Sequence, residues 1–181
     1  MASNGATGPD LGVSMSSNAL LICLNTVGTN CSNTSHGGLN PGSEEGGLFF
    51  LSGSEAVMNV AAGFQNGFAF KYTAINQAGS INVYDGLNGT GNILASINLP
   101  TTTSQCSGFN AGFCPFVDFG VNFVGTAMSV DFAGVANQIV FDDITFGSSI
   151  VGGEVPLPAA APLMLAGLGL AALRRRKKAA A

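Results

Sequence analysis

Apolar and polar side chains alternate with a period of two through much of the chain. Phe68, Phe70 and Tyr72 alternate with Lys71 and Thr73, and Val117, Phe119, Val121 and Phe123 with Asp118 and Asn122. Met128, Val130 and Phe132 alternate in the same way with Ser129 and Asp131. A period of two places one set of side chains on a buried face and the other on the opposite face of a strand. Read along the whole chain, the pattern predicts eight or nine strands within 19–25, 47–52, 57–62, 67–75, 80–84, 92–99, 116–124, 127–132 and 138–146. Gly, Asn and Ser separate them, and Asp85-Gly86 and Asn88-Gly89 supply the residues that turn easily at positive φ. Outside the C-terminal segment, no window longer than about ten residues carries a helical period. The fold class expected is all-β: an antiparallel β-sandwich of jelly-roll or lectin-like type over residues 1–147, with a short hydrophobic helix at the C-terminus. No internal repeat points to a propeller or solenoid.

Composition supports strands and narrows the partners. The chain holds 26 glycines, one histidine and no tryptophan, and only 9% of its residues are charged, against about 25% in ordinary globular proteins. The charge is unevenly placed. Through Gly153 nine carboxylates face a single cation, Lys71, so the body is acidic, near −8, whereas Arg174, Arg175, Arg176, Lys177 and Lys178 give the tail five positive charges. An acidic body repels phosphate backbones, which argues against a nucleic-acid partner. Residues 32–47 form a polar low-complexity loop, and 148–154 read as a spacer.

Cys23 and Cys31 are separated by seven residues, as are Cys106 and Cys114. Neither pair has zinc-type spacing, and one histidine does not complete a site with four distant thiols. Two local disulfides, each closing a Gly/Asn/Ser-rich loop in an oxidising compartment, are the simpler reading; four buried thiols in a cytosolic protein are the alternative.

The last 27 residues, VPLPAAAPLMLAGLGLAALRRRKKAAA, carry the most specific signal. Uninterrupted apolar helix can begin only at Pro162, and Leu163–Leu173 makes about 16 Å of it against a hydrocarbon core of about 30 Å. As a permanent anchor it is short, and its prolines leave backbone groups unpaired where lipid offers no partner. The five cations that follow hold the C-terminus in the cytoplasm, which places the acidic body across the membrane. Export of that body needs a signal, yet the first residues lack a basic n-region and Ala19–Leu24 is too short an apolar run. The expectation is therefore a signal peptide upstream of Met1.

The order Val155-Pro156-Leu157-Pro158-Ala159, apolar segment, Arg-rich end over residues 155–178 closely resembles the PEP-CTERM class of bacterial C-terminal sorting signals, in its VPLPA variant. The resemblance implies recognition by an exosortase, cleavage near the proline motif, passage through the membrane during sorting, and delivery of the body to the cell envelope or exopolysaccharide matrix. More weakly, the segment from Gly67 to Ser148 is similar to jelly-roll domains of PEP-CTERM proteins. Phe141-Asp142-Asp143-Ile144 is also similar to the closing strand of carbohydrate-binding and lectin-like sandwiches.

Candidate chemistry in the body is sparse. Asp142 and Asp143 are neighbours on a predicted strand and should point to opposite faces, which leaves no facing carboxylate pair for glycoside hydrolysis. His36 lies in the polar loop, where a triad would need that loop locked. Calcium is the metal best matched to the oxygen ligands available, with Asp142 first, Glu44 or Glu45 as partners, and Asp85 as a separate candidate. Tyr72 and Tyr84 are the two polar-tipped rings that could meet a sugar. The reading that follows is a non-enzymatic exported module of the envelope or matrix, with extracellular polysaccharide as partner. The alternatives are a carbohydrate-active enzyme on a jelly-roll scaffold and a permanently tail-anchored periplasmic domain.

Overall fold

The structure is a computed structural model that describes residues 10–22, 47–102 and 116–153. Within them every regular element is a strand: β1 (Val13–Met15), β2 (Ala19–Ile22), β3 (Gly47–Phe50), β4 (Glu55–Phe64), β5 (Gly67–Ala74), β6 (Gly79–Tyr84), β7 (Ile93–Leu99), β8 (Val117–Asn122), β9 (Ala127–Ala133) and β10 (Ile139–Phe146). Each predicted strand is present. Among the described residues the alternation missed only β1, three residues too short to show a period, which forms because Val13, Ser14 and Met15 pair with Val60, Asn59 and Met58 of β4.

The strands make two five-stranded sheets, ordered β1-β4-β9-β6-β7 (sheet A) and β2-β3-β10-β5-β8 (sheet B), with all pairings antiparallel. The sheets pack face to face. Met58 and Val60 of β4, Ile81 and Val83 of β6 and Val130 and Phe132 of β9 meet Phe68, Phe70 and Tyr72 of β5 and Phe141 of β10 in one core. Rings carry much of it: Phe132 of sheet A stands edge-on to Phe141 of sheet B with centroids 4.9 Å apart, and Phe68 lies 6.0 Å from Phe132. Each such ring, fully buried, contributes about 1.5–3 kcal/mol by leaving water.

The ladders shift register at three places, between Val83 and Tyr84 of β6, in β4 and in β10, and the last aims a side chain that the alternation alone places wrongly. β4 shifts register between Asn59 and Phe64, where Gly63 takes φ 71°. β10 shifts between Asp142 and Thr145, with Asp143 at φ 48°. This last bulge corrects the expectation for Asp142 and Asp143. The two acids do not point to opposite faces as neighbours on a regular strand would, because the extra residue turns Asp143 back toward Lys71, the residue that Asp142 faces across the ladder.

The outer surfaces of the two sheets differ. On sheet B, Ile22, Phe49 and Val140 form a second buried apolar cluster with Ile75 and Phe116 beside it. Thr73 is fully buried there, bonded to Thr102 at 3.0 Å. The outer face of sheet A is mainly polar, with Val57, Ala133 and Ile93 as its apolar positions.

The expected C-terminal helix, the sorting motif Val155–Ala159, the basic cluster Arg174–Lys178, all four cysteines and the polar loop with His36, Glu44 and Glu45 lie outside the described residues.

Candidate functional site

The core set of β4, β9, β6 and β7 leaves the alternate residues on the outer face of sheet A. Register aligns them in rows across the four strands. Val57, Asp131, Asn82 and Ser96 make the central row, Glu55, Ala133, Ser80 and Asn98 the row on one side, and Asn59, Ser129, Tyr84 and Ile93 the row on the other. Amides, hydroxyls, two carboxylates and one phenol ring dominate this surface, and none of the twelve residues is a cation.

Asp131 is the anomaly. It sits on the polar face of a central strand, yet only 6% of it is exposed. Its Oδ2 accepts a long hydrogen bond from the Asn82 amide at 3.4 Å, while its Oδ1 is buried with no hydrogen-bond partner. Burial, with the neighbouring Glu55 carboxylate adding to it, pushes the Asp131 carboxyl up to about 6 against the opposing pull of Asn82. Glu55 is itself exposed and within hydrogen-bonding reach. Asn82 is held in one orientation, because its Oδ1 accepts from the Ser96 hydroxyl at 2.7 Å. Burial, and after it the charges of Asp131 and Glu55, raise the Tyr84 phenol.

The β6–β7 loop closes one end of this face. Asp85 caps it, accepting from the Asn92 backbone N–H at 2.6 Å and the Asn92 amide at 2.8 Å, and Asn92 holds the exposed Asp85 carboxyl below its ordinary range. Asn88 and Gly89 turn the chain at φ 58° and 67°, as their sequence predicts. The turn then folds down on the sheet: Asn88 N–H donates to Asn59 Oδ1 at 2.7 Å, Gly89 N–H donates to Ser129 Oγ at 3.0 Å, and Ser129 Oγ donates to the Gly86 carbonyl at 2.5 Å. The Tyr84 ring lies alongside, within 3.9 Å of where a side chain on Gly89 would begin. The loop is thus a fixed wall beside the Tyr84–Asp131 surface.

Sheet B carries a different arrangement. Asp118, Lys71 and Asp142 form a cross-strand row, and Lys71 Nζ lies 2.9 Å from Asp143 Oδ2. That hydrogen bond, reinforced by the charges of Asp143, Asp118 and Asp142, raises the Lys71 ammonium despite its partial burial. Next to this row the chain leaving β10 turns back over the sheet. Gly147 N–H donates to the Gly67 carbonyl at 2.9 Å and Gly152 N–H to Thr145 Oγ1 at 3.0 Å. Ser148–Ser149 presses so closely on β5 and β8 that a Cβ on Gly67 would stand 2.7 Å from the Ser148 carbonyl carbon and one on Gly120 would run into the Ser149 carbonyl oxygen. Residues 148–153, drawn from sequence as part of a spacer, are a packed strap over this stretch.

Among the residues named from sequence, Asp142 stands beside Lys71 and Asp143, and its Oδ1 accepts from the Asp143 N–H at 2.8 Å. Its suggested calcium partners Glu44 and Glu45 fall outside the described residues. Among the described residues no cluster of three or more His, Cys, Asp or Glu side chains could hold a metal. Asp85 is occupied as a loop cap. Tyr72 is fully buried and its hydroxyl donates to the Pro100 carbonyl at 2.9 Å, so it belongs to the core; Tyr84 alone of the two reaches a polar face. The sequence reading missed Asp131, Glu55 and Asn82. Alternation assigned Asp131 to the polar side, but nothing local to Ser129-Val130-Asp131 shows that this side is closed over it.

Comparison with known proteins finds the PEP-CTERM protein-sorting motif at residues 154–178, directly after the strap. No curated protein matches the chain. Among solved structures the chain is similar to CsCBM6-3 from Clostridium stercorarium in complex with cellobiose, at 13% identity over 81% of this chain and 90% of that one, with a TM-score of 0.45. It is similar also to a family 6 carbohydrate-binding module studied by binding sub-site dissection, at 15% identity over 74% of this chain and 85% of that one, with a TM-score of 0.43.

Proposed function

We propose that the chain is an exported, non-enzymatic β-sandwich, sorted and cleaved by an exosortase at Val155-Pro156-Leu157-Pro158-Ala159 and left in the cell envelope or exopolysaccharide matrix. The observation that carries this reading is the sorting motif at 154–178, which starts one residue after the last residue of the packed strap, Gly153. In this arrangement the basic cluster Arg174–Lys178 stays on the cytoplasmic side while the folded body lies across the membrane, and the VPLPA prolines fall between a folded domain and the apolar segment. Cys23–Cys31 and Cys106–Cys114 then form disulfides in the compartment where thiols oxidise.

The distribution of acids supports a non-enzymatic body. Asp143 is neutralised by Lys71, and Asp85 is used to cap a loop. The partner this reading gives the mature module is a hydrated extracellular polysaccharide.

The test is the mass of the mature protein. Expressed with its native C-terminus in cells that contain an exosortase, the chain should lose the residues after the proline motif, and in cells lacking the enzyme it should keep them. An intact C-terminus in the exosortase-containing cells overturns the proposal.

A further inference from the structure

We infer that the outer face of sheet A, centred on Asp131 with Tyr84, Asn82 and Glu55, is a binding site for a neutral, polyhydroxylated glycan. This deepens the matrix reading above and rests on it for the nature of the partner, but its structural argument is separate.

The first observation is Asp131 itself. A carboxylate oxygen buried without a donor loses its hydration and receives nothing in return, a cost that stable folds avoid. No group among the described residues donates to Oδ1, which leaves that oxygen available to a donor from outside the fold. A ligand hydroxyl is a donor of that kind, with the exposed Glu55 carboxylate beside it as a second acceptor.

The second is the chemistry around it. The three rows offer the Asn82 and Asn98 amides, the Ser80 and Ser96 hydroxyls, the two acids and the Tyr84 ring, while the Asn59 amide is taken up by Asn88. Amides and carboxylates in pairs match vicinal hydroxyls, and a ring edge or face matches the apolar side of a pyranose. The absence of any cation in these rows disfavours uronate, sulfate or phosphate groups.

The third is rigidity. Asn82 is oriented by Ser96, and the β6–β7 loop is pinned to Asn59 and Ser129, so the polar groups are held in place before a ligand arrives. The outer face of sheet B offers no such surface, since the strap and the second apolar cluster occupy it on either side of the Lys71 row.

The full chain is probed on an array of neutral and uronic-acid oligosaccharides, and by electrophoresis in gels containing dextran or a soluble β-glucan. The wild type should bind neutral glycans and ignore the uronic acids. Tyr84→Ala and Asp131→Asn should each weaken binding about tenfold or more, and Lys71→Met, on the opposite sheet, should leave it unchanged. Asp131→Asn carries a second readout: it should melt at or above the wild-type temperature at pH 7 while binding less, which a purely structural role for the acid does not produce. Tyr84→Ala serves as the independent variant should Asp131→Asn fail to fold. Absence of binding to every neutral glycan, or equal binding by wild type and both variants, overturns the inference. So does calcium raising the melting temperature only in chains that keep Asp131, with no glycan bound. An unprocessed C-terminus in the sorting experiment would sink the sorting proposal and leave this measurement standing.

Discussion

At the scale of single residues, Asp131 sets the pH response. Its folded pKa of about 6 stands above the ordinary 3.8, so the native state holds the proton more tightly than the unfolded chain. The stability this group contributes is complete below 3.8 and is lost as the pH rises through about 6, leaving a penalty at neutrality. Asp131→Asn should therefore gain about 1–3 kcal/mol at pH 7 and flatten the slope of stability over that window, as read by urea titration at several pH values. An unchanged slope would show that another group relieves the charge. Lys71 presents the opposite balance: an ion pair between partly exposed side chains, so Lys71→Met should cost about 1 kcal/mol or less in the same assay. Alternation assigns Asp131 and Lys71 to polar faces, and the sequence shows no difference between them. One keeps part of its side chain in solvent beside Asp143 and the other is almost wholly buried, because burial is decided by neighbouring strands that are distant in sequence, β4 and β6 for Asp131.

At the scale of elements, the strands were legible because the strand period is local. Phe68, Phe70 and Tyr72 declare β5 without reference to any other part of the chain. The bulges were not. Gly63 and Asp143 take positive φ, but a glycine in Ala61-Ala62-Gly63 and an acid in Asp142-Asp143 have many other uses, and only the ladder partners Ala127 and Ala69 define the shift. The strap was read as slack from its Gly and Ser content, yet Gly67 and Gly120 lack side chains at the two positions where the strap approaches sheet B. Gly120→Val should displace it: the melting temperature should fall, with a loss of about 1–3 kcal/mol, and protease cutting within 148–153 should speed up. Equal cutting in wild type and variant would mean that the strap is loose in solution. Asp85→Ala should release the β6–β7 wall, seen as faster hydrogen exchange at the Asn92 and Gly89 amides while the core strands stay protected.

For the whole molecule, one terminus carries the address and one sheet face carries the candidate site. The address is linear. Pro156→Ala with Pro158→Ala should leave the folded body unchanged and prevent loss of the C-terminus, measured by mass on membrane fractions; normal processing of the double variant would show that the prolines are not read. Because an enzyme reads an extended segment residue by residue, such a motif survives in the sequence without any fold, and residues 154–178 could be recognised unaided. The strand content and the two-faced character of the body were likewise determined by the sequence alone, through the alternation of apolar and polar side chains. The tertiary structure decided the rest: the strand order β1-β4-β9-β6-β7, the enclosure of Asp131, the turn of Asp143 toward Lys71, and the seating of the strap on Gly67 and Gly120. Each depends on strands brought together from far apart in the chain, and a local pattern specifies a strand's faces but not the neighbour that will lie against them.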